Sequence, residues 1–122
     1  MIDAANASIV ELQAAMEQKR ITARELVLGC LERIARFDQC PGGLNAVLEI
    51  NPDALFIADM LDEERRRGCV RGPLHGITIM LKDTLNTADK MPTSAGSLAL
   101  EDNLAPYDAH VVRLLKAEGA AI

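Results

Sequence analysis

Aromatic side chains are nearly missing from this 122-residue chain, which has no Trp, two Phe and one Tyr. That scarcity argues against a groove of stacked rings for single-stranded nucleic acid. Basic charge is also in deficit: 13 Lys and Arg stand against 18 Asp and Glu, a net charge of −5, so no positive field draws nucleic acid or an anionic membrane. Long apolar runs are absent. The longest, Ile77 to Leu81, falls far short of the roughly 20 residues that cross a bilayer. Met1 to Leu12 carry Asp3 and Glu11 and no Lys or Arg, which is not the charge order of a signal peptide, and the cytoplasm is the expected compartment. Cysteine numbers three, at positions 30, 40 and 69 without a C-x-x-C pair, and the histidines are His75 and His110. An odd count at irregular spacing is a poor disulfide framework, and neither a zinc site nor a cofactor is expected.

What is present alternates between helix and strand signals. Ser8-Ile9-Val10-Glu11 and Thr22-Ala23-Arg24-Glu25 are capping boxes, each placing a hydroxyl at a helix N-cap and a carboxylate three residues on. They predict helices over about Ile9–Lys19, with Ile9, Leu12 and Met16 on one side, and Ala23–Asp38, with Val27, Cys30, Leu31 and Ile34 inward. Cys30 on that stripe reads as a small core hydrophobe rather than a reactive thiol. After the break at Cys40-Pro41-Gly42-Gly43, Leu44–Ile50 reads as a strand. A third helix starts with Asn51 as N-cap and Pro52 at the first position, turns Ala54, Ile57, Ala58 and Leu61 inward, pairs Asp62 with Arg66 and Glu63 with Arg67 outside, and ends at Gly68. Ile77–Leu81 reads as a strand covered on both faces. Asp83 to Tyr107 has almost no periodicity and is expected to be a long functional loop. A last helix over about Ala109–Glu118 takes Asp108 as its N-cap and Gly119 as its stop, and Ala120–Ile122 begins another buried strand. The predicted class is α/β with a mostly parallel sheet flanked by helices. The whole chain, residues 1–122, reads as the N-terminal segment of one larger domain, truncated at that last strand. An apolar face left by Val111, Leu114, Leu115 and the Ile77–Leu81 strand is then expected to drive self-association into a homo-oligomer.

Lys82 is the most informative residue. It ends a buried run at the C-terminal side of a strand, where open α/β sheets place reactive groups. Four preceding hydrophobes can desolvate its amine and make it a base, while the plainer reading is a strand-end lysine reaching water beside Asp83.

The stretch from Gly72 to Thr84, Gly-Pro-Leu-His-Gly-Ile-Thr-Ile-Met-Leu-Lys-Asp-Thr, resembles the G-P-L-x-G-[IV]-P-[IV]-x-[LVI]-K-D block of the amidase signature family. Thr87 to Ser97 is similar to that family's T-x-G-x-x-T-T-A-G-S stretch, and Pro106 to Ala120 to its P-x-D-A-x-V-V-x-x-L-R-x-A-G-A helix. The opening Ser-Ile-x-Glu-Leu and Ile-Thr-Ala-Arg-Glu-Leu-Val also fit, so the resemblance covers nearly the whole chain. It implies hydrolysis of a small-molecule carboxamide, or ammonia transfer in a tRNA-dependent amidotransferase, through a Ser–Ser–Lys triad whose lysine falls at Lys82. A lysine can take a serine proton through a bridging hydroxyl, and backbone N–H groups can hold the oxyanion.

Two departures stand out. Thr78 occupies a position where the family carries Pro, and the glycine- and serine-rich block that holds both triad serines has no counterpart here. Ser94 and Ser97 belong to a different stretch, and Thr93, Ser94, Gly96 and Ser97 are expected to shape the pocket, with Ser97 an N-cap or a wall. His75 reads as structural, His110 sits unfavourably for a cation in a first helical turn, and Asp83 fixes the turn or orients Lys82. The competing reading is a complete non-catalytic module of the same fold, acting by binding or within an assembly. A nucleotide-binding domain has no support, since neither G-x-G-x-x-G nor a P-loop occurs.

Overall fold

The computed structural model describes residues 3–122; Met1 and Ile2, part of the stretch read for a leader, lie outside the described residues. Both capping boxes form. The Ser8 hydroxyl accepts the Glu11 N–H at 3.3 Å and the Glu11 carboxylate accepts the Ser8 N–H at 2.8 Å, opening α1 at Ile9–Glu17. Thr22 and Glu25 repeat the exchange at 3.1 and 2.8 Å and open α2, Ala23–Arg33, which runs on as a π-helical turn Ile34–Asp38. Each box satisfies N–H groups that a helix start otherwise leaves unpaired. On α1 the buried residues are Leu12, Ala15 and Met16, whereas Ile9, expected inward, is exposed.

The third helix, α3, spans Ala54–Arg66 and begins later than the Asn-Pro signal implied. Asn51 is instead a buried tie: its Oδ1 accepts the Asp53 N–H at 2.9 Å and its Nδ2 donates to the Ile122 carbonyl at 2.6 Å. Ala58 and Leu61 point inward and pack on Ala23, Val27 and Ala121. Glu63 pairs with Arg67 at 2.6 Å as expected, and also with Arg66. Asp62 does not pair with Arg66. Its carboxylate accepts the Ala23 and Arg24 N–H groups at 2.8 and 3.0 Å, so α3 caps the start of α2. Arg65 turns inward too and donates to Gln13 Oε1 at 2.7 Å and to the His75 carbonyl at 2.9 Å.

The expected mostly parallel sheet is not formed among the described residues, where one isolated parallel bridge joins Thr78 and Ala121. Its bonds run from Ala121 N–H to the Ile77 carbonyl at 2.9 Å and from Ile79 N–H to the Ala121 carbonyl at 2.8 Å. The N–H of residue 78 takes no part in this bridge, so a Pro at that position would cost it no hydrogen bond. Leu44–Ile50, predicted as a strand, joins no ladder. Asn45 has φ of +50°, and the segment hangs from Asp38, whose carboxylate accepts the Ala46 and Val47 N–H groups at 2.7 and 3.1 Å. A strand exists only where a neighbour offers N–H and C=O groups, and no such neighbour flanks this segment among the described residues.

The last helix, α4, covers His110–Ala117. Asp108 does not cap it; its Oδ1 accepts Ala88 N–H at 2.7 Å and Lys116 Nζ at 2.8 Å, pinning the long loop to the helix. Gly119 ends α4 with φ of +87°. Only there can the chain turn so close to His75, since a Cβ on Gly119 would lie 2.8 Å from His75 Cα. Val112 is buried, while Val111 and Leu114 are exposed as expected; Ile77, expected on the uncovered face, is instead buried against Leu12, Met16 and Leu26.

Candidate functional site

Beyond the bridge the chain continues through Met80 and Leu81 to Lys82, then turns, with Leu85 N–H donating to the Lys82 carbonyl at 3.0 Å. This end of the extended segment forms one wall of a groove of about 620 Å³. Val27, Cys30 and Leu31 of α2 with Ile34 of the π-helical turn form a second wall, the 46–51 segment a third, and Met91, Pro92, Thr93, Ala95 and Gly96 line it as well. The lining is mostly apolar, with Lys82, Asp83, Thr84, Thr87 and Thr93 among its polar residues and Arg33, Glu49, Asn51 and Thr78 elsewhere on the walls, a mixture a small-molecule site can use to orient its occupant. The expected inward stripe of α2 is thus split: Val27 is buried, whereas Cys30, Leu31 and Ile34 are half-covered and face the groove. Burial pushes the Cys30 thiol up, against smaller opposing pulls from the Thr78 hydroxyl and Arg33, which suits an inert wall residue.

Lys82 is exposed. The apolar run before it does not enclose its side chain, because Met80 is 65% exposed and Leu81 only half-buried. The desolvation expected from the sequence is not supplied by these residues. Asp83 does not reach for the neighbouring lysine. Its Oδ1 accepts the Ser94 N–H at 3.0 Å, its Oδ2 accepts the Ser94 hydroxyl, and its carbonyl accepts the Ala95 N–H at 3.0 Å. The Ser94 hydroxyl and N–H hold the Asp83 carboxyl below the usual carboxylate range, against the opposing effect of burial.

The other candidates fall into two groups. Thr93 is buried, with its N–H donating to the Asn103 carbonyl at 2.9 Å, and it lines the groove together with Gly96. Ser94 serves Asp83 rather than standing free. Ser97 precedes a short 3₁₀ turn, Leu98–Leu100, without a side-chain capping bond. His75 is structural: fully buried, its Nδ1 accepts the Arg71 N–H at 3.1 Å and its Nε2–H donates to the Leu61 carbonyl at 2.9 Å. His110 is exposed beside Arg113, remote in role from the groove. The Asp83–Ser94 link spans eleven residues of aperiodic chain, and no local spacing signal could have announced it. Among the described residues no group of three or more His, Cys, Asp or Glu side chains is arranged for a metal, and no helix is long and apolar enough to cross a membrane.

Comparison with known proteins places this geometry. Residues 25–122 match the family model described as Amidase. The structure of native peptide amidase from Stenotrophomonas maltophilia superposes with a TM-score of 0.92 at 46% identity, over 98% of this chain and 24% of that one. A Schizosaccharomyces pombe protein named as an amidase is 43% identical over 117 residues, 96% of this chain and 20% of its own length. A glutamyl-tRNA(Gln) amidotransferase component from Aromatoleum aromaticum is 39% identical over 115 residues, 94% of this chain and 23% of that protein. The chain therefore spans from 20% to 24% of the length of these relatives.

Proposed function

The chain belongs to the amidase family, and from that premise we propose that it is the lysine-bearing segment of a hydrolase that converts a carboxamide into a carboxylate and ammonia. One observation carries the reading: Lys82 of the Leu-Lys-Asp block lines a mostly apolar groove together with Asp83, Thr84 and Thr93. In the proposed reaction the Lys82 amine accepts a proton from a bridging serine, which takes one from the nucleophilic serine; both serines lie in chain outside these 122 residues. The nucleophile adds to the amide carbon, N–H donors hold the oxyanion, and the lysine proton returns to the departing nitrogen as ammonia leaves. Water then cleaves the acyl-enzyme by the same proton path. Exposure of Lys82 here implies that chain covering the groove supplies the dry surroundings a neutral amine needs. By the same reasoning residues 1–122 alone release no ammonia. Three free thiols fit a reducing, cytoplasmic site of action.

A second reading follows from the amidotransferase relative: the released ammonia is passed on to an acyl-tRNA rather than lost to solvent. Ammonia release by the full-length polypeptide from glutamine and from simple primary amides, with and without acylated tRNA, separates the two. Lys82→Ala is expected to cut turnover by about three orders of magnitude or more, and Lys82→Arg to fare little better, because guanidinium stays protonated. Turnover near wild type in the arginine variant would remove the general-base assignment.

A further inference from the structure

A lysine meant to act as a base gains nothing from a carboxylate next door, since an ion pair within about 4–6 Å favours the ammonium. Asp83 directly follows Lys82, yet its carboxylate is bound by Ser94 and, among the described residues, no ion pair joins it to the lysine. We propose that Asp83 is a positioning residue for Lys82: bound by Ser94, its carboxylate is turned away from the lysine and anchors the strand end that aims the lysine into the groove. The inference rests on the reading of Lys82 as the base and goes beyond it.

Three observations carry it. Both oxygens of the Asp83 carboxylate are engaged by one residue, by the Ser94 N–H at 3.0 Å and by the Ser94 hydroxyl. The main chain on both sides of the Lys82–Asp83 peptide is tied as well, the Lys82 carbonyl to Leu85 N–H at 3.0 Å and the Asp83 carbonyl to Ala95 N–H at 3.0 Å. The partner loop is itself strained. Ala95 has φ of +51° and Gly96 of +76°, and the Ser97 N–H closes the turn onto the Ser94 carbonyl at 2.9 Å. An alanine persists in the left-handed region only where its surroundings over-determine it, and here Asp83 grips the turn through both side chain and main chain. Asp83 touches no part of the amide in this scheme. It acts through Lys82, and Ser94 is its hydrogen-bond donor rather than a nucleophile. The other charged side chains lining the groove are Arg33 on α2 and Glu49 in the 46–51 segment, and the test leaves both unchanged.

The test uses the full-length polypeptide with Ser94→Ala, Asp83→Asn, the double variant and Lys82→Ala, each first checked for an unaltered circular dichroism spectrum. Loss of position alone is expected to lower kcat by about 10- to 100-fold in Ser94→Ala and Asp83→Asn, with KM within about twofold. Ser94→Ala also frees a carboxylate toward the lysine, so the acid limb of its pH–rate profile is expected to move to higher pH. Asp83→Asn carries no charge, and neither it nor the double variant should show that move. Wild-type kcat and profile in Ser94→Ala would overturn the proposal, as would parallel changes in kcat, KM and melting temperature with an unmoved profile, the signature of a purely structural contact. Should Asp83→Asn fail to fold, the profile of Ser94→Ala, which lacks a single hydroxyl, decides alone. If Lys82→Ala kept its turnover, the base reading itself would fall. If Lys82→Ala were inactive while the Asp83 and Ser94 variants matched wild type, only the positioning role would fall.

Discussion

Asp62 offers a sharp test of how this fold is held. It lies on α3, yet its two carboxylate oxygens receive the first two free N–H groups of α2, from Ala23 at 2.8 Å and Arg24 at 3.0 Å. Thr22 takes the third at 3.1 Å. Hydrogen bonds to a charged acceptor contribute about 1.5–3 kcal/mol each, and a carboxylate at a helix N-terminus gains roughly 0.5 kcal/mol more from the dipole. Asp62 is only half-buried, so water can replace part of what is lost and the lower values apply. Asp62→Ala is therefore expected to cost about 2–3 kcal/mol, and Asp62→Asn, which keeps one neutral acceptor, about 1 kcal/mol. The alanine variant should lower the urea midpoint of the full-length polypeptide by that cost divided by the polypeptide's own m-value, read from the same titration. Arg66→Ala is the control, because the exposed Arg66 pairs only with Glu63 at the helix surface, a contact of about 0.3–0.5 kcal/mol. The capping argument is refuted if Asp62→Ala costs no more than Arg66→Ala in the same urea titration.

Two further outcomes follow from single contacts. Gly119→Ala would place a Cβ 2.7 Å from His75 Nδ1 and 2.8 Å from its Cα at a φ of +87°; with His75 fully buried and bonded at both ring nitrogens, the loss of stability is expected to reach about 3 kcal/mol, and a loss under about 1 kcal/mol on calorimetric unfolding would contradict that packing. The folded Asp83 carboxyl, held low by the Ser94 hydroxyl and N–H, contributes stability that is complete above about pH 4, the unfolded carboxylate value, and is lost as pH falls through the depressed folded value. Unfolding curves of wild type and Asp83→Asn should run at a constant separation above that pH and converge in acid, and a separation that persisted undiminished in strong acid would rule the contact out as the source.

Starts of helices were open to reading because their causes are local. Ser8 with Glu11 and Thr22 with Glu25 exchange hydrogen bonds over three residues, and any chain with that spacing offers the same closure wherever it sits. Gly68 and Gly119 as stops belong to the same class through their positive φ, although Gly119 must also leave room for His75. The family block around Lys82 was legible for a different reason, since its residue types recur in fixed order and the matching model covers residues 25–122. Where partners lie far apart along the chain, local spacing pointed elsewhere. Asp62 has Arg66 within reach on its own helix, but the start of α2, 39 residues away for Ala23, offers two unpaired N–H groups and wins. Asp108 stands where an N-cap would, and is taken by Lys116 and Ala88 instead. Leu44–Ile50 has the composition of a strand but no neighbour to pair with among the described residues, and so remains irregular chain hung from Asp38. The sequence by itself determined where α1 and α2 begin, which glycines stop α3 and α4, and which lysine ends the apolar run. Only the tertiary structure decided which carboxylate caps which helix, that Asp83 turns to Ser94, and that Lys82 is left open to water, because each of these depends on which unpaired donors the fold brings within hydrogen-bond reach.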